Sequence, residues 1–202
     1  MLNALLSAIL QVALTFLIAW VVYLVMARKR MSFSAFIGLT ATPAKAVLIG
    51  AMAGLTLAAG ILAVPGSIEI LAGEGTVTGD TVRRFGGGAL VAILAVTAVF
   101  KTSLAEEVLF RGLIGKQLIR KLGFPIGNLM QAMLFGLVHL VLLLAPTVNA
   151  AMVAFAVVMT GALGWFNGWL NERLGGGSIL PGWAAHASAN LTTFLGVAFL
   201  HA

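Results

Sequence analysis

Long apolar runs, separated by brief charged or glycine-rich stretches, dominate the chain, and their lengths approach the roughly 20 residues that an α-helix needs to cross a bilayer. Leu2 to Met26 is the first run and ends at Arg28-Lys29-Arg30; Ala46 to Val64 is the second, closed by Pro65-Gly66. The third runs from about Phe85 towards Arg111 and is interrupted by Lys101, which either snorkels to an interface or marks the end of a short span. No Asp, Glu, Lys or Arg occurs from Leu122 to Asn171, a stretch that as one helix would measure about 75 Å against a hydrocarbon core of about 30 Å. It must fold back, and Ala145-Pro146-Thr147-Val148-Asn149 is the natural turn. That division gives a fourth span near Phe124 to Leu144, a fifth near Val148 to Leu170, and a sixth from about Leu180 to Leu200. The pattern predicts an all-α, polytopic transmembrane bundle of about six spans in a single domain over residues 1–202. Gly112 to Lys121 alternates apolar and basic residues at helical spacing, and reads either as a short surface helix or as an extension of span three.

Composition sharpens this class. Hydrophobic residues make up 61% of the chain and charged ones 9%, which excludes both a soluble domain and a disordered one. The absence of cysteine removes disulfides, thiolate metal sites and a cysteine nucleophile together. Leu2 to Met26 lacks the basic n-region and small-residue cleavage site of a secretory signal, so it reads as a retained span. The net charge of +6 does not point to nucleic acid, because the basic residues lie in short stretches between apolar runs. They instead set orientation. Connection one carries Arg28, Lys29, Arg30 and Lys45, connection three Lys116, Arg120 and Lys121, and connection five Arg173. In connection two, Arg83 and Arg84 are offset by Glu69, Glu74 and Asp80, and connection four is uncharged. The odd connections are therefore expected to be cytoplasmic, with the Glu106 end of span three and the His186 end of span six on that side. The expected location is a membrane, by this reading a bacterial inner membrane.

Against so apolar a background, the few ionisable groups inside the spans stand out, since each costs roughly 2.5–3.5 kcal/mol to insert. In Glu106-Glu107-Val108-Leu109-Phe110-Arg111, residues four apart share a helix face, so Glu107 is expected to pair with Arg111 in the favourable order. Glu106, pointing about 100° away, is left free to act as a base. His139 lies inside span four with Phe135 one turn earlier on the same face, where the ring can pack on the imidazole and exclude water. His186 and Asn190 are also four apart, among Ala184, Ala185, Ala187, Ser188 and Ala189, small residues that let another backbone approach. The Asn190 amide NH2 and His186 can both donate hydrogen bonds to a developing oxyanion. Taken singly, each motif also fits an ordinary ion pair, interhelical glue or a polar packing seam.

In this order and on successive apolar segments, Glu-Glu-x-x-x-Arg at 106–111, Phe-x-x-x-His at 135–139 and His-x-x-x-Asn at 186–190 resemble the CPBP family. This is the family of CAAX proteases and bacteriocin-processing enzymes formerly called Abi. The resemblance covers about the C-terminal 60% of the chain, with the catalytic core in about 85–200. It implies an intramembrane endopeptidase in which Glu106 and His139 activate a water, His186 and Asn190 stabilise the oxyanion, and Glu107 and Arg111, with Phe135, support the site. The implied partner is a peptide or membrane-protein substrate within the lipid bilayer. A prenylated CAAX tail is one substrate class, and the compact chain looks more like the bacterial branch with its diverse peptides.

Glu106, His139 and His186 also make a conceivable zinc set with an open position for water. No His-Glu-x-x-His occurs and no histidine has a second within four residues, so the expected site has no cofactor. Two other classes compete: a transporter using the same three residues as a proton relay, and a non-catalytic immunity protein. The transporter would be expected to show an inverted repeat, and none is apparent. One tension concerns depth. His139 lies about 22 Å along a helix entered at Phe124, whereas Glu106 and His186 look shallower.

Overall fold

The computed structural model describes residues 1–73, 76–142 and 150–200, and among these every regular element is helical. The order is α1 (Leu2–Met26), α2 (Phe33–Ile37), α3 (Ala44–Leu62), α4 (Ser67–Leu71), α5 (Val77–Arg84), α6 (Gly87–Leu122), α7 (Phe124–Leu142), α8 (Ala150–Trp169) and α9 (Leu180–Leu200). The chain is an all-α helical bundle and an integral membrane protein. Helices α1, α3 and α6 are long and apolar enough to cross a bilayer by length and composition, and α7 holds a shorter apolar stretch. Large side chains of α1 such as Ile9, Leu10, Leu14 and Val25 face outward, as lipid contact requires.

The boundaries differ from the sequence expectation in informative places. Helix α6 does not stop at Arg111; it runs through Lys101 and both glutamates to Leu122, so the segment after Gly112 is an extension of span three and not a separate surface helix. Gly123, at φ +77, ends it in a backbone conformation that favours glycine. Connection two folds into α4 and α5, the latter begun by Thr76, whose hydroxyl accepts from the Gly79 backbone N–H at 2.9 Å. The turn assigned to Ala145–Asn149, and Glu74 of connection two, lie outside the described residues.

The most extensive packing joins α3 to α9. Ala46, Gly50, Gly54 and Ala58 form a buried small-residue stripe at four-residue spacing on α3. A Cβ on Gly50 would meet the Pro181 carbonyl oxygen at 2.2 Å, and one on Gly54 the Ala185 carbonyl oxygen at 2.1 Å. Ser188 fastens the pair by donating to the Ala51 carbonyl at 2.9 Å. The small residues around His186 thus have a specific partner, the second span, and their packing sets the position of the helix that carries His186 and Asn190.

Helices α7 and α8 are tied by polar groups. Asn128 donates to the Trp165 carbonyl and Gln131 to the Gly164 carbonyl, while Gly136 meets the Val157 carbonyl closely. At one end of the bundle the three basic connections meet. Lys116 pairs with Glu172 and also donates to the Gly177 carbonyl, Arg120 reaches the Phe36 carbonyl, Ser178 donates to the Thr40 carbonyl, and Thr42 donates to the Gly175 carbonyl. Alternating topology demands that odd connections share one side, and here they do.

The stripe yields a direct test. Gly54→Ala drives a methyl into the α9 backbone and should lower stability in detergent by about 1–3 kcal/mol. Gly60→Ala, with nothing within 4 Å of its Cβ, should be neutral or gain up to about 1 kcal/mol. Thermal unfolding of both variants checks this, and equal melting of the two would remove the stripe's assigned role.

Candidate active site

Helix α6 carries both glutamates in an unusual backbone. Thr97–Leu104 and Glu107–Gly115 are π-helical, with wider turns than an α-helix and backbone bonds displaced by one residue. The widened turns leave carbonyls available to other partners, and neighbouring elements take them. Trp183 of α9 donates its indole N–H to the Val99 carbonyl at 2.9 Å, Gln11 of α1 donates to the Lys101 carbonyl at 2.9 Å, and Thr102 donates to Thr97 and Ala98. The π register is therefore held from two sides, by α9 and α1, and by Thr102 within α6 itself. It carries a functional consequence at Glu106 and Glu107, which are adjacent yet both reach His186.

The imidazole of His186 lies between the two carboxylates. Its Nε2 is 3.8 Å from Glu106 Oε2 and its Nδ1 is 3.3 Å from Glu107 Oε1. An ionised carboxylate only accepts, so Nδ1 is the donor on the Glu107 side. Glu107 is wholly buried, and the same Oε1 takes a 3.0 Å hydrogen bond from Asn167 of α8 and lies 3.2 Å from Arg111 Nη1. The side chain of Glu106, by contrast, is 26% exposed and forms the open edge of the cluster. Arg111 belongs to Glu107, as the four-residue spacing predicts, and Glu106, left without that partner, faces His186.

Phe135 is the hub that joins span four to this pair. The Arg111 guanidinium sits over its ring at 4.0 Å, and the rings of His139, Phe110 and His186 approach edge-on at 4.5, 5.0 and 6.1 Å. His139 Nδ1 bonds to the Phe135 carbonyl at 2.7 Å. A carbonyl accepts only, so Nδ1 carries the proton and Nε2 keeps its lone pair. The apparent difference in depth between His139 and the other site residues disappears, because Phe135 touches both histidines. Among the described residues the ion-pair partner of Glu106 is His186 and not His139.

Asn190, one turn beyond His186, donates to the hydroxyls of Thr102 at 3.1 Å and Ser103 at 3.2 Å, within the first π segment. Thr102 spends its own proton on helix carbonyls, so its oxygen is the acceptor and the Asn190 NH2 group is the one that faces it. The structure brings Glu106, Glu107, Arg111, Phe135, His139 and His186 into one connected group, and Asn190 of α9 lies beside it, bonded to Thr102 and Ser103 of α6. Among the described residues, no three His, Asp or Glu side chains are grouped to hold a metal ion.

Several contributors escaped the sequence reading. Asn167 was one polar residue in an apolar run, and its spacing of four from Asn171, which accepts from the Gly182 backbone N–H at 2.7 Å, was the signal available. Thr102, Ser103 and Trp183 gave no signal, because nothing in local composition announces a π-helix.

No curated protein and no solved structure matches the chain. A family model described as Type II CAAX prenyl endopeptidase Rce1-like matches residues 88–192, a little over half of the chain, from the start of α6 to just beyond Asn190. The match takes in all three motifs and the helices that carry them, and on it the chain belongs to the Rce1-like family of CAAX-type intramembrane endopeptidases.

Proposed function

We propose that this protein hydrolyses a peptide bond of a membrane-associated protein or peptide through a water activated by Glu106 and His139, without a metal. The observation that carries this reading is the split between the two carboxylates: Glu107 is buried and shared among three partners, whereas Glu106 is part-exposed and, among the described residues, has His186 as its ion-pair partner. A base must be reachable by water, and Glu106 is. His139 adds a second acceptor, since its Nδ1 proton is committed to the Phe135 carbonyl.

In the first step, an O–H bond of the water breaks, its proton passes to Glu106, and the oxygen bonds to the scissile carbonyl carbon. The resulting oxyanion takes hydrogen bonds from His186 Nε2 and Asn190 Nδ2. For His186 this is the imidazolium form, whose charge the two flanking carboxylates balance; for Asn190 it means exchanging one hydroxyl partner for the oxyanion. Collapse breaks the C–N bond as Glu106 returns its proton to the leaving amine. Phe135 and Arg111 keep the histidines in place and exclude water from the Glu107 side. The metal-free reading is supported by the absence of a His-Glu-x-x-His motif and by His186, both of whose nitrogens already face carboxylates. The basic odd connections support a site facing the cytoplasm.

Quantifying new protein termini by mass spectrometry in membranes of cells expressing each variant tests the assignment. Asn190→Ala should lower terminus formation by about 10²–10³, the usual loss for one oxyanion donor. Glu106→Gln and His139→Ala should each lower it by about 10²–10⁴, with insertion unchanged. Wild-type yields from any one of the three would remove that residue from the mechanism. A separate measurement addresses the metal: purified protein dialysed against a zinc chelator should keep its full rate, and loss restored by zinc would overturn the metal-free reading.

A further inference from the structure

The Glu107–Arg111 pair contains an anomaly. An arginine and a glutamate four apart on one buried helix face would ordinarily form a two-pronged bond, both carboxylate oxygens meeting two guanidinium N–H groups. Here one Arg111 nitrogen lies 3.2 Å from Glu107 Oε1, while the guanidinium makes no hydrogen bond among the described residues and rests on the Phe135 face. Glu107 Oε2 has no hydrogen-bond partner there either. The carboxylate meets its strongest available partner through one oxygen alone, the Oε1 that Asn167 and His186 share. The side chain that holds this oxygen comes from a helix with no recognised motif: Asn167 of α8, itself 5% exposed, donates its Nδ2–H to Oε1 at 3.0 Å.

We propose that Asn167 is a positioning residue that acts through Glu107 on His186; this rests on the assignment of His186 to the site under the proposed function. By holding Oε1 from the α8 side, Asn167 keeps that oxygen within 3.3 Å of His186 Nδ1. Nδ1 then stays the donor to Glu107, and Nε2 is presented to Glu106 and the substrate. Without Asn167, the carboxylate rotates about its terminal torsion into the Arg111 fork, and His186 loses the partner that fixes its ring. General helix glue does not explain Asn167. The α7–α8 contact already has Asn128 and Gln131 bonded to the Trp165 and Gly164 carbonyls, whereas Asn167 directs its donor to a buried carboxylate of α6.

The test uses the full-length protein in detergent with Asn167→Leu, which keeps the branching of the side chain at Cγ and removes the donor. Two readouts are taken. In the 15N spectrum of histidine-labelled protein, with the His186 signals assigned by their loss in His186→Gln, the Nδ1 resonance of His186 should shift away from its hydrogen-bonded position while that of His139 stays in place. In membranes, terminus formation should fall about 10–100-fold, the size of loss seen when the outer partner that orients a metal-bound histidine is removed. An unchanged His186 spectrum with unchanged terminus formation overturns the proposal. If Asn167→Leu fails to fold, Asn167→Ala, which adds no bulk, is read by the same two measurements. The failures are separable: if Glu106→Gln leaves the termini of wild type intact, the hydrolytic reading falls, and the His186 spectrum alone then decides whether Asn167 sets that ring.

Discussion

A single buried oxygen organises this molecule. Glu107 Oε1 lies within 3.3 Å of an asparagine from α8, a histidine from α9 and an arginine from its own helix. A carboxylate without such partners in an apolar interior would carry a desolvation cost of several kcal/mol, so the three helices are obliged to converge on it. Its convergence also fixes where everything else stands. Arg111, drawn to Glu107, stacks on Phe135; Phe135 orients His139; and His186, held by Glu107 at one nitrogen, shows the other to Glu106. The two adjacent glutamates therefore divide their work by burial, one structural and one open to water.

The scaffold around that oxygen explains how adjacent residues can serve one imidazole. The π-helical turns of α6 need outside partners for their freed carbonyls, and Trp183 and Gln11 provide them from α9 and α1. Helix α9 is in turn placed by glycine stripes on α3 that permit near-contact of the two backbones. The first two spans, which lie outside the family match, thus bear on the site: α1 through the π register and α3 through the seat of α9.

Much of the architecture was legible in the sequence because apolar run length and helix length are the same physical quantity in a membrane. Leu2–Met26 and Leu180–Leu200 fall where the runs predicted, and the motif residues could be found because polar groups in lipid are expensive enough to be informative. The pairing of Glu107 with Arg111 followed from α-helical spacing. The partner of Glu106 did not follow, because that inference assumed an α-helical turn and the backbone is π-helical on both sides of it. Asn167 was hidden for a different reason: an amide in an apolar helix has one signature whether it bonds a backbone carbonyl or a buried carboxylate, and only the packing of α8 against α6 distinguishes the two.

On the proposed function this chain itself breaks peptide bonds, with Glu106 as the base. The purified protein can be reconstituted into vesicles with a detergent extract of membrane proteins, and the protein termini that form compared between wild type and Glu106→Gln. Termini that accumulate only with wild type are the predicted result. The same termini from both proteins, or none from either while both remain folded, would contradict it.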